Sequence, residues 1–195
     1  MERQMSLQTL IKRGMDTPVD FSFIQRVVNK SPTIRMVDHE SGLPDKPSLK
    51  RVFGGKQAVA ILLHILQGNT KIGHWVLLLQ ATGKRKIAFF DSLGLGLYRL
   101  YALTHEEPKL LHALKGHKWE NSKVQLQQFG SHFRECGAFV AIRAKFFNLT
   151  NAGFVRLIRS YNKTKPDETA VLLVLLHYLE DEEVDITRKK FKRLK

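Results

Sequence analysis

Gln127-Gln128-Phe129-Gly130-Ser131-His132-Phe133-Arg134-Glu135-Cys136-Gly137-Ala138-Phe139-Val140-Ala141-Ile142-Arg143 sets a polar, glycine-containing segment against an apolar one, with the chain's only cysteine at the junction. The polar half reads as a loop. After Cys136, the residues Phe139, Val140, Ile142, Phe146 and Phe147 recur at the spacing of a buried helix. A sulfur in the first turn of such a helix faces unpaired backbone N–H groups and the positive end of the helix dipole, both of which favour thiolate over thiol. Gly137 leaves room for a carbonyl to approach the backbone. Taken alone, a single cysteine is equally a small buried hydrophobe, so the weight falls on what the rest of the chain brings to it.

Working outward toward the amino terminus, Gly73-His74-Trp75-Val76-Leu77-Leu78-Leu79-Gln80 is apolar on both faces, which predicts a strand inside a covered sheet. Thr82-Gly83-Lys84-Arg85 supplies a turn, and Lys86-Ile87-Ala88-Phe89-Phe90-Asp91 returns. A two-residue turn at Thr82-Gly83 sets Asp91 opposite His74; a turn one residue later makes them diagonal neighbours on the same face. Either register brings imidazole and carboxylate together at one end of the sheet. A carboxylate on one ring nitrogen fixes the tautomer and leaves the other nitrogen free to take a proton. Taken singly, His74 and Asp91 are as readily strand-end caps.

The remaining elements are read more coarsely. Residues 1–35 are expected as short broken helices, with Met5, Leu7, Leu10 and Ile11 on one apolar stripe and Phe21, Phe23, Ile24, Val27 and Val28 on another. Residues 38–49 read as a loop, and 56–67 as a buried helix opened by Gly54-Gly55 and closed by Gly68-Asn69. Residues 97–114 are expected as helical pieces with a new start at Pro108, and 123–127 as a half-buried strand delivering the chain to Gln128. Helices follow from Thr150 and from Pro166. Ser92-Leu93-Gly94-Leu95-Gly96 is a flexible turn and too weak a pattern for a phosphate loop. The resulting class is α+β, a central mixed sheet flanked by helices, with the cysteine at the N-terminus of a buried helix. The expected organisation is one domain over residues 1–187: a helical part about 1–55, a core about 56–147 and C-terminal helices about 150–183. Residues 188–195 follow as a basic tail.

Composition bounds the function. One cysteine excludes an internal disulfide and a multi-cysteine metal site. His105, His112 and His117 lack ligand spacing, so neither metal nor organic cofactor is expected. No apolar run reaches the ~18 residues of a membrane span, and no secretory leader is evident, so the expectation is a protein that is neither membrane-bound nor secreted. The net charge of +14 points to a polyanionic partner. Six of these charges are Arg188, Lys189, Lys190, Lys192, Arg193 and Lys195; without them the body still carries +8. Contact with DNA through phosphates, without base readout, is the expected use of this charge; a solvated tail is the plain alternative.

Assembled, these parts suit acyl transfer. Cys136 attacks a carbonyl, His74 takes and returns the proton, Asp91 orients His74, and Gln128 with the Cys136 backbone N–H serves the oxyanion. His132 is a rival base without an acid in strand register.

Gly73-His74-Trp75, Phe90-Asp91-Ser92-Leu93-Gly94 and Gln128 through Cys136-Gly137 together resemble the signature of the adenain and ubiquitin-like-protein protease clan of cysteine peptidases. The resemblance covers about residues 56–147. It implies a triad of Cys136, His74 and Asp91, an oxyanion glutamine at Gln128, and a packing or shielding role for Trp75. The clan's glutamine usually lies six or seven residues before the cysteine, whereas Gln128 is eight and Gln127 nine before it, which leaves open which of the two serves. Small size and positive charge are similar to the maturation proteases of adenoviruses, virophages and Polinton or Maverick elements. That branch implies a monomer acting on capsid and core precursors within the virion or at the site of assembly, with DNA as a possible activator. Its preference for Gly-Gly makes Val52-Phe53-Gly54-Gly55 a candidate self-cleavage site, although a helix-boundary turn accounts for those glycines equally well. The same clan includes isopeptidases that remove ubiquitin-like modifiers, and a non-enzymatic nucleic-acid-packaging protein is the alternative from another class.

Overall fold

A computed structural model describes Thr9, Ile24, Gln25 and residues 33–80, 86–128 and 135–178. Most of the expected N-terminal helical part, the Thr82–Arg85 turn, His132 and the 188–195 tail lie outside the described residues; Ile24, which is described, is buried in the core.

Five strands form one mixed sheet in the order β1-β2-β3-β4-β5: Ile34–Asp38, Ala58–Gln67, Thr70–Gln80, Ile87–Phe90 and Trp119–Asn121. β1 runs parallel to β2 and β4 parallel to β5, while β2/β3 and β3/β4 are antiparallel. Short helices α1 (His39–Gly42) and α2 (Leu49–Phe53) lie between β1 and β2; α3 (Leu97–Ala102) and α4 (Lys109–Leu114) lie between β4 and β5. Three longer helices follow: α5 (Glu135–Lys145), α6 (Asn151–Tyr161) and α7 (Pro166–Tyr178). This is the α+β arrangement of a mixed sheet flanked by helices that the sequence predicts. No helix among the described residues is long and apolar enough to cross a membrane.

Both sheet faces are covered, which explains the unbroken apolar runs. Trp75, Leu77, Leu79, Ala88 and Phe90 pack with α5 to α7; Val59, Ile61, Val76, Leu78 and Phe89 pack with α2 to α4. Helix α5 has ten buried residues and is apolar nearly all round, as a helix enclosed by the sheet and α7 must be. Its end is tied by Arg143, fully buried, whose guanidinium donates to the carbonyls of Phe146 and Leu149 at 2.7 Å each.

Three expectations are corrected. The 56–67 segment is strand β2, not a helix. It is hydrogen-bonded on both sides and covered on both faces, so it shows no alternation and matches a buried helix in pattern. Gly68-Asn69 is its hairpin turn to β3, with Gly68 at φ 60°. Residues 38–49 are not all loop, since they hold α1 and the start of α2, and β1 precedes them where helix was expected. Residues 123–127 form no strand: β5 ends at Asn121, and the backbone N–H groups of Leu126 and Gln127 donate instead to the Ser92 carbonyl. Gly54 caps the end of α2 in the left-handed region at φ 55°, and Val52 and Phe53 are buried beneath it. That accounts for the Val52–Gly55 sequence as a helix stop.

The turn after β4 is packed closely against residues 124–125. Gly94 sits at φ 68°, and a Cβ there would lie 2.6 Å from Gln125 N and 2.7 Å from Val124 C. Gly94→Ala should therefore destabilise the protein by at least ~3 kcal/mol, since backbone cannot yield as a flexible side chain does. Urea denaturation measures it; a loss under ~1 kcal/mol is incompatible with this packing.

Candidate functional site

The β3/β4 register pairs Leu77 with Phe90 and Gln80 with Ile87. This is the register of the later turn, so Asp91, one residue beyond β4, is diagonal to His74. They meet: His74 Nε2 donates to Asp91 Oδ1 at 2.8 Å, both side chains fully buried.

Asp91 is held by more than histidine. Its Oδ1 also accepts the Leu93 N–H at 3.0 Å, and its Oδ2 accepts those of Leu95 at 2.8 Å and Gly96 at 3.4 Å. Four donors on one carboxylate stabilise its charge and orient it. The tight Asp-Ser-Leu-Gly turn presents those N–H groups, and Ser122 Oγ–H donates to the Asp91 carbonyl at 2.6 Å from the other side.

Cys136 lies in the first turn of α5, where the sequence places it, and is 1% exposed. Its sulfur accepts the Trp75 backbone N–H at 3.4 Å and is hydrogen-bonded to the His74 side chain. With Nε2 committed to Asp91, the ring nitrogen left for sulfur is Nδ1. Burial alone would push the imidazole down; hydrogen bonds to Asp91 and Cys136, and the negative charge of both, outweigh it and raise the pKa to about 10. A carboxylate on one side of the imidazole and sulfur on the other thus favour its protonated form. Such a set can supply a sulfur nucleophile and return a proton to a leaving group.

Trp75 packs its ring into the core facing α5 while its backbone touches the sulfur; Gly137 is buried in the same helical turn.

The two glutamines part company. Gln128 is exposed, and its backbone N–H donates to Asp167. Gln127 is 1% exposed, and its Oε1 accepts the Ser92 hydroxyl at 2.7 Å. Its Nε2 is buried without a hydrogen-bond partner among the described residues. Ser92 directly follows Asp91, so one turn positions both the carboxylate and the amide. Of the two glutamines it is Gln127 that the fold draws into the interior beside Asp91, with its amide oxygen anchored and its Nε2 a potential donor to a ligand.

Sequence reasoning missed two groups. Asp167, at the start of α7, is raised to about 6 by burial and by the charge of Glu135, the residue before the cysteine. A second cluster of Asp38, His39, Glu40, His64 and Glu106 draws on residues up to 68 positions apart, each unremarkable in its own segment. The histidines weighed from sequence, His105, His112 and His117, are all exposed.

Comparison of the chain with models of known protein families, and with curated protein sequences, gave no match.

Proposed function

We propose that the chain is a cysteine endopeptidase of the adenain-like type, acting as a monomer on capsid or core precursor polypeptides during virion maturation. The observation that carries this reading is the His74–Asp91 contact of 2.8 Å with Cys136 hydrogen-bonded to the same imidazole. Cys136 attacks the scissile carbonyl, forming a thioester as the C–N bond breaks, and the imidazolium of His74 protonates the departing amine. Water, deprotonated by His74, then hydrolyses the thioester. Gln127 Nε2 and the Cys136 backbone N–H stabilise the oxyanion, and Asp91 keeps His74 in register. The mixed sheet with the cysteine heading a buried helix is compatible with the adenain and ubiquitin-like-protease fold. The charge of +14 supports DNA as a non-specific activator, through phosphate contacts that include the 188–195 tail.

The test is to incubate the full chain with capsid-precursor peptides containing Gly-Gly, with modifier–fluorophore conjugates, and with DNA added or omitted. Cleavage of the peptides, faster with DNA at low salt, supports the proposal. Turnover of the modifier conjugates alone reassigns the enzyme to isopeptidases, and DNA binding with no hydrolysis of either substrate leaves a packaging protein.

The pH profile follows from His74. Its proton is needed to expel the amine, so kcat/KM should fall on the alkaline side through about pH 10. Stability moves in the same direction. Folding raises this pKa from 6.5, so the contribution is complete below about 6.5 and is lost as pH rises toward 10. Rate profiles and urea denaturation read the two effects, and an alkaline limb centred below pH 8 would contradict the geometry.

A further inference from the structure

Asp38 closes β1, His39 and Glu40 lie in α1, His64 is near the end of β2, Lys71 near the start of β3, and Glu106 between α3 and α4. None belongs to the thiol site. The Glu106 side chain is 5% exposed, and its Oε1 accepts the His64 backbone N–H at 3.0 Å and lies 2.9 Å from His64 Nδ1. Its Oε2 meets Nδ1 of the fully buried His39 at 2.5 Å. His39 Nε2 is 2.6 Å from the Tyr101 hydroxyl, which accepts the Leu110 N–H at 3.0 Å. Burial pushes the Tyr101 phenol up, so it stays an O–H donor to His39 Nε2 and leaves His39 Nδ1–H to hold Glu106.

Two more carboxylates face His64: Glu40 Oε2 lies 3.9 Å from Nδ1, and Asp38 Oδ2 lies 3.8 Å from Nε2. Against these three acids the nearby ammonium groups are few. Lys71 is exposed, 3.3 Å from Glu40, and Lys109 donates to the backbone carbonyls of Glu40 and Leu43. In a chain of net charge +14, this concentration of acid around an imidazole favours a cation. One donor atom each from Glu40, His64 and Glu106 lies within 4.8 Å of the other two. Tetrahedral coordination with bonds of ~2.1 Å separates ligands by ~3.4 Å, so small movements of an exposed glutamate and lysine suffice.

We propose that Glu40, His64 and Glu106 bind one divalent transition-metal ion, with Zn2+ best suited to one imidazole and two carboxylates, and water as the fourth ligand. His64 coordinates through Nδ1, which leaves Nε2–H for Asp38, and His39 fixes Glu106 from behind. The ion ties α1, β2 and the α3–α4 connection together. His64 pairs with Gly73, the residue before His74, so the bound ion braces the strand end that carries the imidazole of the thiol site. The proposal stands independently of the hydrolase reading.

Full-length protein carrying Cys136→Ala, which removes the thiol as a competing ligand, is titrated with Zn2+ by calorimetry and with Co2+ by visible absorption. The expected result is one ion per chain, with Co2+ bands of a four-coordinate nitrogen and oxygen site. Glu40→Gln, a change at an exposed side chain, should weaken binding at least ~10-fold, and His64→Ala should abolish it. His112→Ala, at an exposed histidine outside the cluster, should leave affinity unchanged. Absence of stoichiometric binding, or equal affinity in the parent, Glu40→Gln and His64→Ala proteins, overturns the proposal.

Discussion

Cys136→Ala is expected to remove peptide hydrolysis, lowering kcat by at least ~10⁴-fold while the protein stays folded. The size of the effect follows from the role assigned: no other thiol exists in the chain, and an alanine methyl cannot form the acyl intermediate. The structural cost is small by comparison. The sulfur accepts the Trp75 N–H at 3.4 Å and is hydrogen-bonded to His74, so its loss should cost about 1 to 3 kcal/mol. Activity and thermal melting measured on one preparation separate chemistry from folding. Alkylation supplies an independent readout. Because the sulfur is 1% exposed, iodoacetamide reports access as well as ionisation. Rapid labelling near pH 7 in the parent, slowed at least ~10-fold in His74→Ala, is the expected pattern. A Cys136→Ala protein that still cleaves the peptides would end the peptidase reading.

Asp91→Asn should be nearly as damaging to catalysis and much worse for the fold. The carboxylate takes His74 Nε2–H and Leu93 N–H on Oδ1, and Leu95 and Gly96 N–H on Oδ2. An amide has one oxygen and one NH2, so either orientation sets a donor against donors. If the NH2 faces His74, the imidazole turns over to the wrong tautomer; if it faces Leu95 and Gly96, the turn after β4 opens. The expected result is a fall in kcat of about 10⁴-fold and a stability loss of about 2 to 4 kcal/mol. Ser122→Ala, which removes the hydroxyl from the Asp91 carbonyl and leaves the carboxylate intact, provides the contrast: a comparable stability loss should bring a far smaller fall in kcat. Asp91→Asn turnover within tenfold of the parent would show that the His74–Asp91 contact is structural only.

The parts of the site legible in the sequence were those whose geometry is local. A strand apolar on both faces, a short turn and a returning strand leave only two registers, and both bring His74 to Asp91. The apolar spacing after Cys136 placed it in a first helical turn. The glutamine was ambiguous because its position depends on the Ser92 hydroxyl and carbonyl, 35 residues earlier, which stitch 126–127 to the turn after β4. The same stitching explains why 123–127 alternates like a strand without being one. β2 reads as a helix from sequence because a doubly covered strand and a buried helix share a continuous apolar pattern; the Gly68-Asn69 turn is the available signal, and it suits a hairpin as readily as a helix stop.

From its residues alone, this chain determined a basic, helix-flanked sheet with a cysteine at a helix start and an imidazole and carboxylate within reach of each other, because periodicity and short turns act over a few residues. Tertiary structure decided that the sulfur meets that imidazole, that Gln127 rather than Gln128 is drawn inside, and that His39, His64 and Glu106 converge. Those contacts join segments with no local preference for one another, and only the packing of both sheet faces brings them together.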